Sequence, residues 1–204
     1  MTVVLTFAEL ACLLPEAASS ARRRLHLLEW DAESPVPLAG VASLVVRGLV
    51  RFEESGSSVP VDEVSSVIAT IANAVAWVQI GFARENAIGG IQICDAEDGM
   101  RVEATAQPFG AFAFTLTEAS VPLANAAGVA VRAFLGTDES GAVFIKTGGA
   151  EADGDGLAVR QTDTGTIEVA VGKPDDAPIR ELALDDAIAA VESYVDATSV
   201  TRAR

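Results

Sequence analysis

The sequence predicts an α+β fold, in which N-terminal helices are followed by a mostly antiparallel sheet with two strands-then-helix units in pseudo-twofold arrangement. The main observation is a repeated pattern, because Gly99–Leu135 and Gly156–Val195 each contain two strand-like stretches and then a helix. A second observation is the apolar spacing, which is three to four in the N-terminal part and mostly two after it. Duplicated units of this kind carry function on exposed surfaces and loops. We predict a single domain, 1–204, with possible sub-units 1–135 and 136–204.

The first helix is predicted from a capping box. Thr6 and Glu9 have the S/T-x-x-E spacing, in which the hydroxyl accepts from the third helical amide and the carboxylate accepts from the capping amide. This spacing predicts a helix over Phe7–Ser19. Pro15 lies inside that range, so the helix either breaks there or begins anew.

Two further helices are predicted before the sheet. Helical spacing in Leu38–Val50 predicts the second, and Asp62 and Glu63 lie in the first turn of the third, where acidic side chains complement the helix dipole. Leu25–Trp30 is a possible short strand, and Glu53–Ser58 is a turn or wing. The apolar positions with helical spacing are Val41, Leu44, Val45 and Leu49 in the second helix, and Val61, Val64, Val67, Ile68 and Ile71 recur on one face of the third.

Alternating apolar residues predict the strands. In Ala76–Arg84 the apolar residues alternate with those of the opposite face, which carries Trp77. The dipeptide Asp98-Gly99 predicts a hairpin turn. The other predicted elements are strands over Met100–Ala106 and Phe112–Leu116, a helix over Val121–Leu135, a strand around Val143 and Ile145, strands around Val159 and Val169, and a last helix over Leu182–Val195.

The chain is acidic, with a formal net charge of −15 over 204 residues. Nucleic acid and anionic membrane surfaces are therefore not expected partners, because binding them requires Lys and Arg to neutralise phosphates. Met1–Leu14 has no basic region and contains Glu9, which argues against a signal peptide. The basic cluster Arg22–Arg24 is either a contact for an acidic partner or a solvated helix end. We expect a cytoplasmic protein.

Few residues could carry chemistry. His26 is the single histidine, so triad catalysis or a histidine metal site would have to use it. Cys12 and Cys94 are expected to be reduced and buried, with a disulfide between them as the alternative. Asp153 and Asp155 belong either to a calcium loop or to a solvated hairpin loop. The same two interpretations apply to Asp95, Glu97 and Asp98. The sequence predicts no enzyme and no bound cofactor or metal.

Three short segments carry a resemblance to a known family. They are Leu5–Leu10 (LTFAEL), the helix end Leu44–Leu49 (LVVRGL) and the strand Val78–Ala83 (VQIGFA). In this order, with a polar wing and a third helix between the last two, they resemble the EspG family of actinobacterial type VII (ESX) secretion systems. The resemblance implies a cytosolic, non-enzymatic chaperone that binds the tip of a helical secreted protein (PE/PPE- or WXG-like) and keeps it soluble. The chain is shorter than that family, mainly in its second half.

Contact residues for such a partner are predicted at Trp77, Phe109, Phe112, Asp153 and Asp155. The side chain of Trp77 opposes the inward face of its strand, so it is either exposed or covered by a helix. Phe109 stands in Pro-Phe-Gly, where a bulky aromatic either tucks under the turn or projects towards a partner. The alternative function is a homodimeric structural or regulatory α+β domain of unknown partner.

Overall fold

The structure is a computed structural model that describes residues 1–25, 27, 35–54, 58–137, 139–147, 156–172 and 178–199. The helices in these residues are α1 (Phe7–Leu13), α2 (Ser19–Arg24), α3 (Pro35–Val46), α4 (Asp62–Ala72), α5 (Leu123–Leu135) and α6 (Leu184–Thr198), with a 3-10 turn at Pro108–Gly110. The strands are β1 (Thr2–Thr6), β2 (Val50–Phe52), β3 (Ser58–Pro60), β4 (Ala74–Arg84), β5 (Ala87–Ala96), β6 (Met100–Gln107), β7 (Ala111–Glu118), β8 (Gly141–Thr147), β9 (Gly156–Gln161), β10 (Ile167–Gly172) and β11 (Arg180–Leu182).

The predicted α+β class is confirmed, because the helices accompany a large antiparallel sheet. The two-stranded sheet of β2 and β3 is separate from it. The chain forms two compact units, the first comprising 1–74 and 95–118, and the second 75–94 and 119–204. The two units alternate along the sequence, whereas the sub-units predicted above are contiguous. Among the helices that the structure describes, none has both the length and the apolar character needed to cross a bilayer.

In the first unit, the strand order is β1–β7–β6 and both pairs are antiparallel. Helix α4 packs against β6 and β7, and α1 packs against α3. The α1–α3 contact is unusually close, because a Cβ atom at Gly40 would lie only 2.1 Å from the carbonyl oxygen of Ala8. The large buried side chains of this unit include Leu5, Leu10, Leu44, Val64, Val67, Ile71, Val102 and Phe114.

The N-terminal helical segment is two helices, as the position of Pro15 indicated. The predicted capping box is confirmed: the Thr6 hydroxyl accepts from the Glu9 amide at 3.3 Å, and the Glu9 carboxylate accepts from the Thr6 amide at 2.8 Å. Helix α1 ends at Leu13, just before the proline, which cannot continue the helical hydrogen bonding. The two termini of α1 are therefore fixed by residues that the sequence itself identifies.

A buried arginine caps the end of α1. The Arg22 guanidinium donates hydrogen bonds from Nη1 to the carbonyl oxygens of Ala11 and Leu14, at 3.0 and 2.9 Å. The last carbonyls of a helix have no partner within the helix, so these contacts satisfy groups that would otherwise be buried unpaired. The solvated interpretation of the arginine cluster is therefore wrong for Arg22, whereas Arg23 is exposed.

In the second unit, the strand order is β5–β4–β8–β9–β10–β11. Helices α5 and α6 pack against each other, α5 against β8, and α6 against β9 and β10. Gly128 on α5 lets Glu192 of α6 approach, because a Cβ atom there would lie 2.6 Å from the carboxylate. The core of this unit includes Val78, Ile80, Ile93, Ala127, Val131, Leu135, Val143, Ile145, Leu157, Val159, Val169, Ile188, Val191 and Val195.

In chain order, β6 and β7 precede α5, and β9, β10 and the short β11 precede α6. For β6 and β7, the helix that packs on the strands is not the helix that follows them in the chain. Helix α4 packs against β6 and β7, whereas α5 packs against α6 and β8. Cys12 and Cys94 are not joined by a disulfide, so the disulfide alternative is wrong. Most of the predicted strand Leu25–Trp30, including His26, lies outside the described residues.

Candidate protein-binding surfaces

Helix α3 exposes four large apolar side chains in the first unit. We define the α3 face as Leu38, Val41, Val45 and Val46 together with Phe52 of β2, whose side chains retain between 37% and 87% of their accessible surface. Leu38, Val41 and Val45 follow one another at helical spacing, so they form one stripe. Helix α3 also contacts β2, which carries Phe52. Contiguous exposed apolar surface of this kind is typical of protein-binding sites.

The helical spacing of Val41, Leu44 and Val45 did not indicate which of these residues are buried. Gly40 and Leu44 are the buried residues of α3, whereas Val41 and Val45 remain more than a third exposed. The reason is that α1 approaches the helix along the side where Gly40 has no side chain. The signal for a binding surface was nevertheless present, because Ser43 is the single polar side chain in Pro35–Val46. A helix that is apolar all round needs a partner on every side.

A buried ion pair fixes the position of α3. Glu9 is fully buried, and its carboxylate accepts hydrogen bonds from the Ser43 hydroxyl at 2.7 Å and from Nη1 of Arg47 at 2.7 and 2.8 Å. Burial alone would raise the pKa of Glu9, but hydrogen bonds from the Thr6 amide, Ser43 and Arg47, together with the Arg47 charge, hold that pKa below its usual value. Glu9 is therefore ionised at neutral pH.

The same arginine closes part of the open edge of the sheet in the first unit. Nη2 of Arg47 donates to the carbonyl oxygen of Val4 at 2.7 Å, and the Thr6 amide donates to Glu9. Met1, which precedes β1, and Leu116 of β7 form a hydrogen-bonded pair. Hydrogen-bonded and non-hydrogen-bonded positions alternate along antiparallel strands, so the backbone groups of Val4 and Thr6 point away from β7. Edge strands with unpaired groups invite pairing with other chains. The Glu9–Arg47 pair thus positions α3 and covers polar groups on β1.

Residues 35–52, which include the α3 face, contain no Asp or Glu, in a chain of net charge −15. Arg51 lies beside Phe52 and forms an exposed ion pair with Asp62 at 2.7 Å. Such exposed pairs are weak and readily exchange partners. The α3 face is therefore an apolar strip bordered by Arg47 and Arg51.

The Phe109 turn, which we define as residues 107–111, is the second exposed apolar feature of the first unit. Phe109 is 102% exposed and has a φ of 63°, and it is the one non-glycine residue of the described chain with a positive φ. Gly110 follows with a φ of 70°, and a Cβ atom there would lie 3.0 Å from the Phe7 ring. The Phe7 ring in turn packs edge-on against Phe112, with centroids 4.9 Å apart. The turn is therefore anchored on both sides while the Phe109 ring projects.

The predicted contact residues divide into three groups. Of the two alternatives for Phe109, the projecting one is found. Trp77 is 4% exposed and Phe112 is also buried, so the covered alternative is found for Trp77, and neither side chain offers an open contact surface. Asp153 and Asp155 lie outside the described residues.

A cleft of about 680 Å³ lies in the second unit at the ends of β4, β8 and β9. Both arginines of the cleft have partners. Arg84 pairs with Glu139, donates a hydrogen bond to the Phe134 carbonyl oxygen at 2.7 Å and stacks on the Phe134 ring. Arg160 pairs with Glu168 at 2.6 Å. These contacts tie the strand ends to neighbouring elements. They give the two arginines of the cleft a structural role.

The acidic turn before β6 is explained by local pairing. Asp95 forms a two-point ion pair with the buried Arg101, at 2.6 and 2.8 Å. The Asp98 carboxylate accepts from the Met100 amide at 3.0 Å, as the turn residue of a hairpin does, and Gly99 has the positive φ that this turn requires. Across the described ranges, no group of three or more His, Cys, Asp or Glu side chains could hold a metal ion.

The thiol of Cys12 is held in its protonated form. Burial raises the pKa of Cys12, and the neighbouring negative charge of Glu9 raises it further. A thiol with a raised pKa is a poor nucleophile, because the thiolate is the reactive species. Cys12 is therefore a packing residue of the first unit.

The sequence matches no model of a known protein family, and no curated protein is similar to it.

Proposed function

We propose that this protein is a cytoplasmic, non-enzymatic chaperone or adaptor that binds an apolar helical segment of a secreted protein and keeps it soluble. The observation that carries the proposal is the α3 face, an apolar helix surface that the protein leaves uncovered. The resemblance to the EspG family implies a partner of the type VII secretion class with PE/PPE- or WXG-like helices. The partner's exposed apolar helix is the aggregation-prone surface that a chaperone of this kind would cover.

The size of the α3 face supports a contact that contributes part of an interface. The exposed surface of its five side chains together equals that of about three fully exposed apolar side chains. Full burial of one such side chain stabilises a complex by about 1.5–3 kcal/mol. The gross gain is therefore roughly 5–9 kcal/mol, and association itself costs about 4–15 kcal/mol. A stable complex accordingly needs further contacts beyond α3.

The shape and charge of the α3 face favour a helical partner with acidic flanks. Helix α3 presents an apolar ridge, which fits between the side-chain rows of another helix. Arg47 and Arg51 border the ridge; Arg47 is paired with the buried Glu9, whereas the exposed Arg51–Asp62 pair can exchange for an acidic group of the partner. An amphipathic helix whose apolar stripe is bordered by Asp or Glu would match both features.

The test is affinity purification of the tagged full chain from its native organism, comparing two variants with the wild type. Leu38→Glu/Val46→Glu places charges on the α3 face, at positions whose side chains are largely exposed. Val129→Glu is the matched control, because Val129 is 68% exposed on α5 in the second unit. Circular dichroism and thermal melting establish that both variants fold like the wild type.

The proposal predicts that a helical protein co-elutes in stoichiometric amount with the wild type and with Val129→Glu, and that it is lost with Leu38→Glu/Val46→Glu. Equal recovery by all three proteins would show that the α3 face is not the binding surface. A wild-type protein that elutes alone as a homodimer, and becomes monomeric in the α3 variant, would replace the proposal with the homodimeric structural alternative. Light scattering after size exclusion distinguishes these outcomes.

A further inference from the structure

We propose that Phe109 is a preformed anchor whose ring inserts into an apolar pocket between helices of the partner protein. This inference rests on the proposed function and adds a second contact to it. Its basis is the combination of a fully exposed ring and an unfavourable backbone conformation at one residue. The left-handed backbone conformation is unfavourable for the isolated chain, and the exposed ring contributes no burial that would compensate for it.

The exposed ring does not stabilise the fold. A phenyl side chain with its whole surface in water forgoes the burial that makes aromatic residues favourable in a core. A left-handed φ is unfavourable for any residue with a Cβ atom, so the backbone at Phe109 is strained. Glycine would avoid this strain at this position, as it does next door at Gly110. A strained residue that the surrounding structure holds in place is typical of functional sites.

The flanking residues keep the ring projecting. Pro108 has its φ fixed by the pyrrolidine ring, and Gly110 is held where the Phe7 ring leaves no room for a side chain. The Phe7–Phe112 contact then ties the turn to the start of α1. Little conformational freedom is therefore left to lose on binding, which is the property of an effective anchor.

The absence of charged residues in the turn favours an apolar pocket on a protein as the binding site of the ring. Between Glu103 and Glu118 the sequence has no charged residue, so burying the turn removes no charge from water. Nucleic-acid stacking would need nearby cations to neutralise phosphates, and an anionic lipid surface would need them too. A pocket between packed helices accepts a single ring without either requirement, as the central anchors of protein interfaces do.

The first experiment places the photo-crosslinking residue p-benzoylphenylalanine at position 109, or at position 88 as a control, in the native organism. Ile88 is a suitable control because its side chain is 92% exposed in the second unit. The proposal predicts a crosslink from position 109 to apolar side chains of a helical protein, mapped by mass spectrometry, and none to that protein from position 88. A crosslink to lipid, to a second copy of this chain, or to no molecule at position 109 would overturn it.

The second experiment separates binding from folding with Phe109→Gly and Ile88→Gly, using the partner protein captured at position 109. Phe109→Gly should leave the melting temperature unchanged or raised and weaken the affinity roughly 10-fold or more, because it removes both the strain and the anchor. Ile88→Gly should leave the affinity unchanged. If Phe109→Gly bound as tightly as the wild type while Leu38→Glu/Val46→Glu did not, the anchor would be refuted and the proposed function would stand. If neither variant weakened binding, both proposals would fail.

Discussion

The Glu9–Arg47 pair is the contact whose removal should most weaken the first unit. The Glu9 carboxylate is fully buried and accepts from three groups, Thr6, Ser43 and Arg47. Removing one partner of a buried, hydrogen-bonded pair typically costs about 3–5 kcal/mol, because the remaining charge stays out of water. For Arg47→Ala, which leaves the buried carboxylate without its cation, we expect a loss of about 3–4 kcal/mol in the free energy of unfolding. Glu9→Gln should cost less, about 2 kcal/mol, because the half-exposed Arg47 side chain can turn to water.

The contribution of Glu9 to the free energy of unfolding should decrease at acid pH. The pKa of Glu9 is lower in the folded protein than its ordinary value of 4.5, so the ionised form stabilises the fold above about pH 4.5. This stabilisation is lost as the pH falls through the folded-state pKa. The difference in stability between wild type and Glu9→Gln should therefore be largest near pH 7 and shrink as the pH drops below the ordinary value.

Urea denaturation followed by circular dichroism, at pH 7 and at several lower values, measures these differences. Arg51→Ala is the matched control, because its ion pair with Asp62 is solvent-exposed and should contribute less than about 1 kcal/mol. The reasoning would be refuted if Arg47→Ala and Arg51→Ala had the same stability. A pH-independent difference between wild type and Glu9→Gln would also contradict it.

Two further predictions concern backbone contacts of the first unit. Gly40→Ala should lower the free energy of unfolding by about 3 kcal/mol or more, because the new Cβ atom would lie 2.1 Å from the Ala8 carbonyl oxygen; this outweighs the normal preference of helices for alanine. The control is Gly89→Ala, whose Cβ atom would have no atom within 4 Å. In the same urea measurement it should change stability by less than about 1 kcal/mol. Arg22→Met should cost about 3 kcal/mol, because it leaves carbonyls at the end of α1 unpaired, and the exposed Arg23→Met should be nearly neutral; equal thermal melting of the two variants would disprove the capping role.

Local interactions made much of the fold predictable from the sequence. The capping box of Thr6 and Glu9, the break at Pro15 and the Asp98-Gly99 hairpin each depend on residues within a few positions of one another. The alternating pattern likewise identified β4 and β6, although Trp77 on the opposite face of β4 is buried as well. These predictions are confirmed since no distant contact competes with the local preference.

Distant contacts decided what the sequence left open. The partner of Glu9 is Arg47, thirty-eight positions away, and no local pattern pairs them. The exposed side of α3 was equally hidden, because a helix with apolar residues all round gives no preferred face, and the close approach of α1 at Gly40 determined it. For Phe109 the turn residues indicated two outcomes, and the packing of Phe7 under Gly110 selected the projecting one.

Hydrogen–deuterium exchange of the complex with its helical partner, compared with the free protein, locates the binding surface. Exchange should be slower in α3 and in the Phe109 turn, because both are buried against the partner, and unchanged in the exposed face of α5 around Val129. Protection of α5 with no change at α3 or Phe109 would contradict the proposed function.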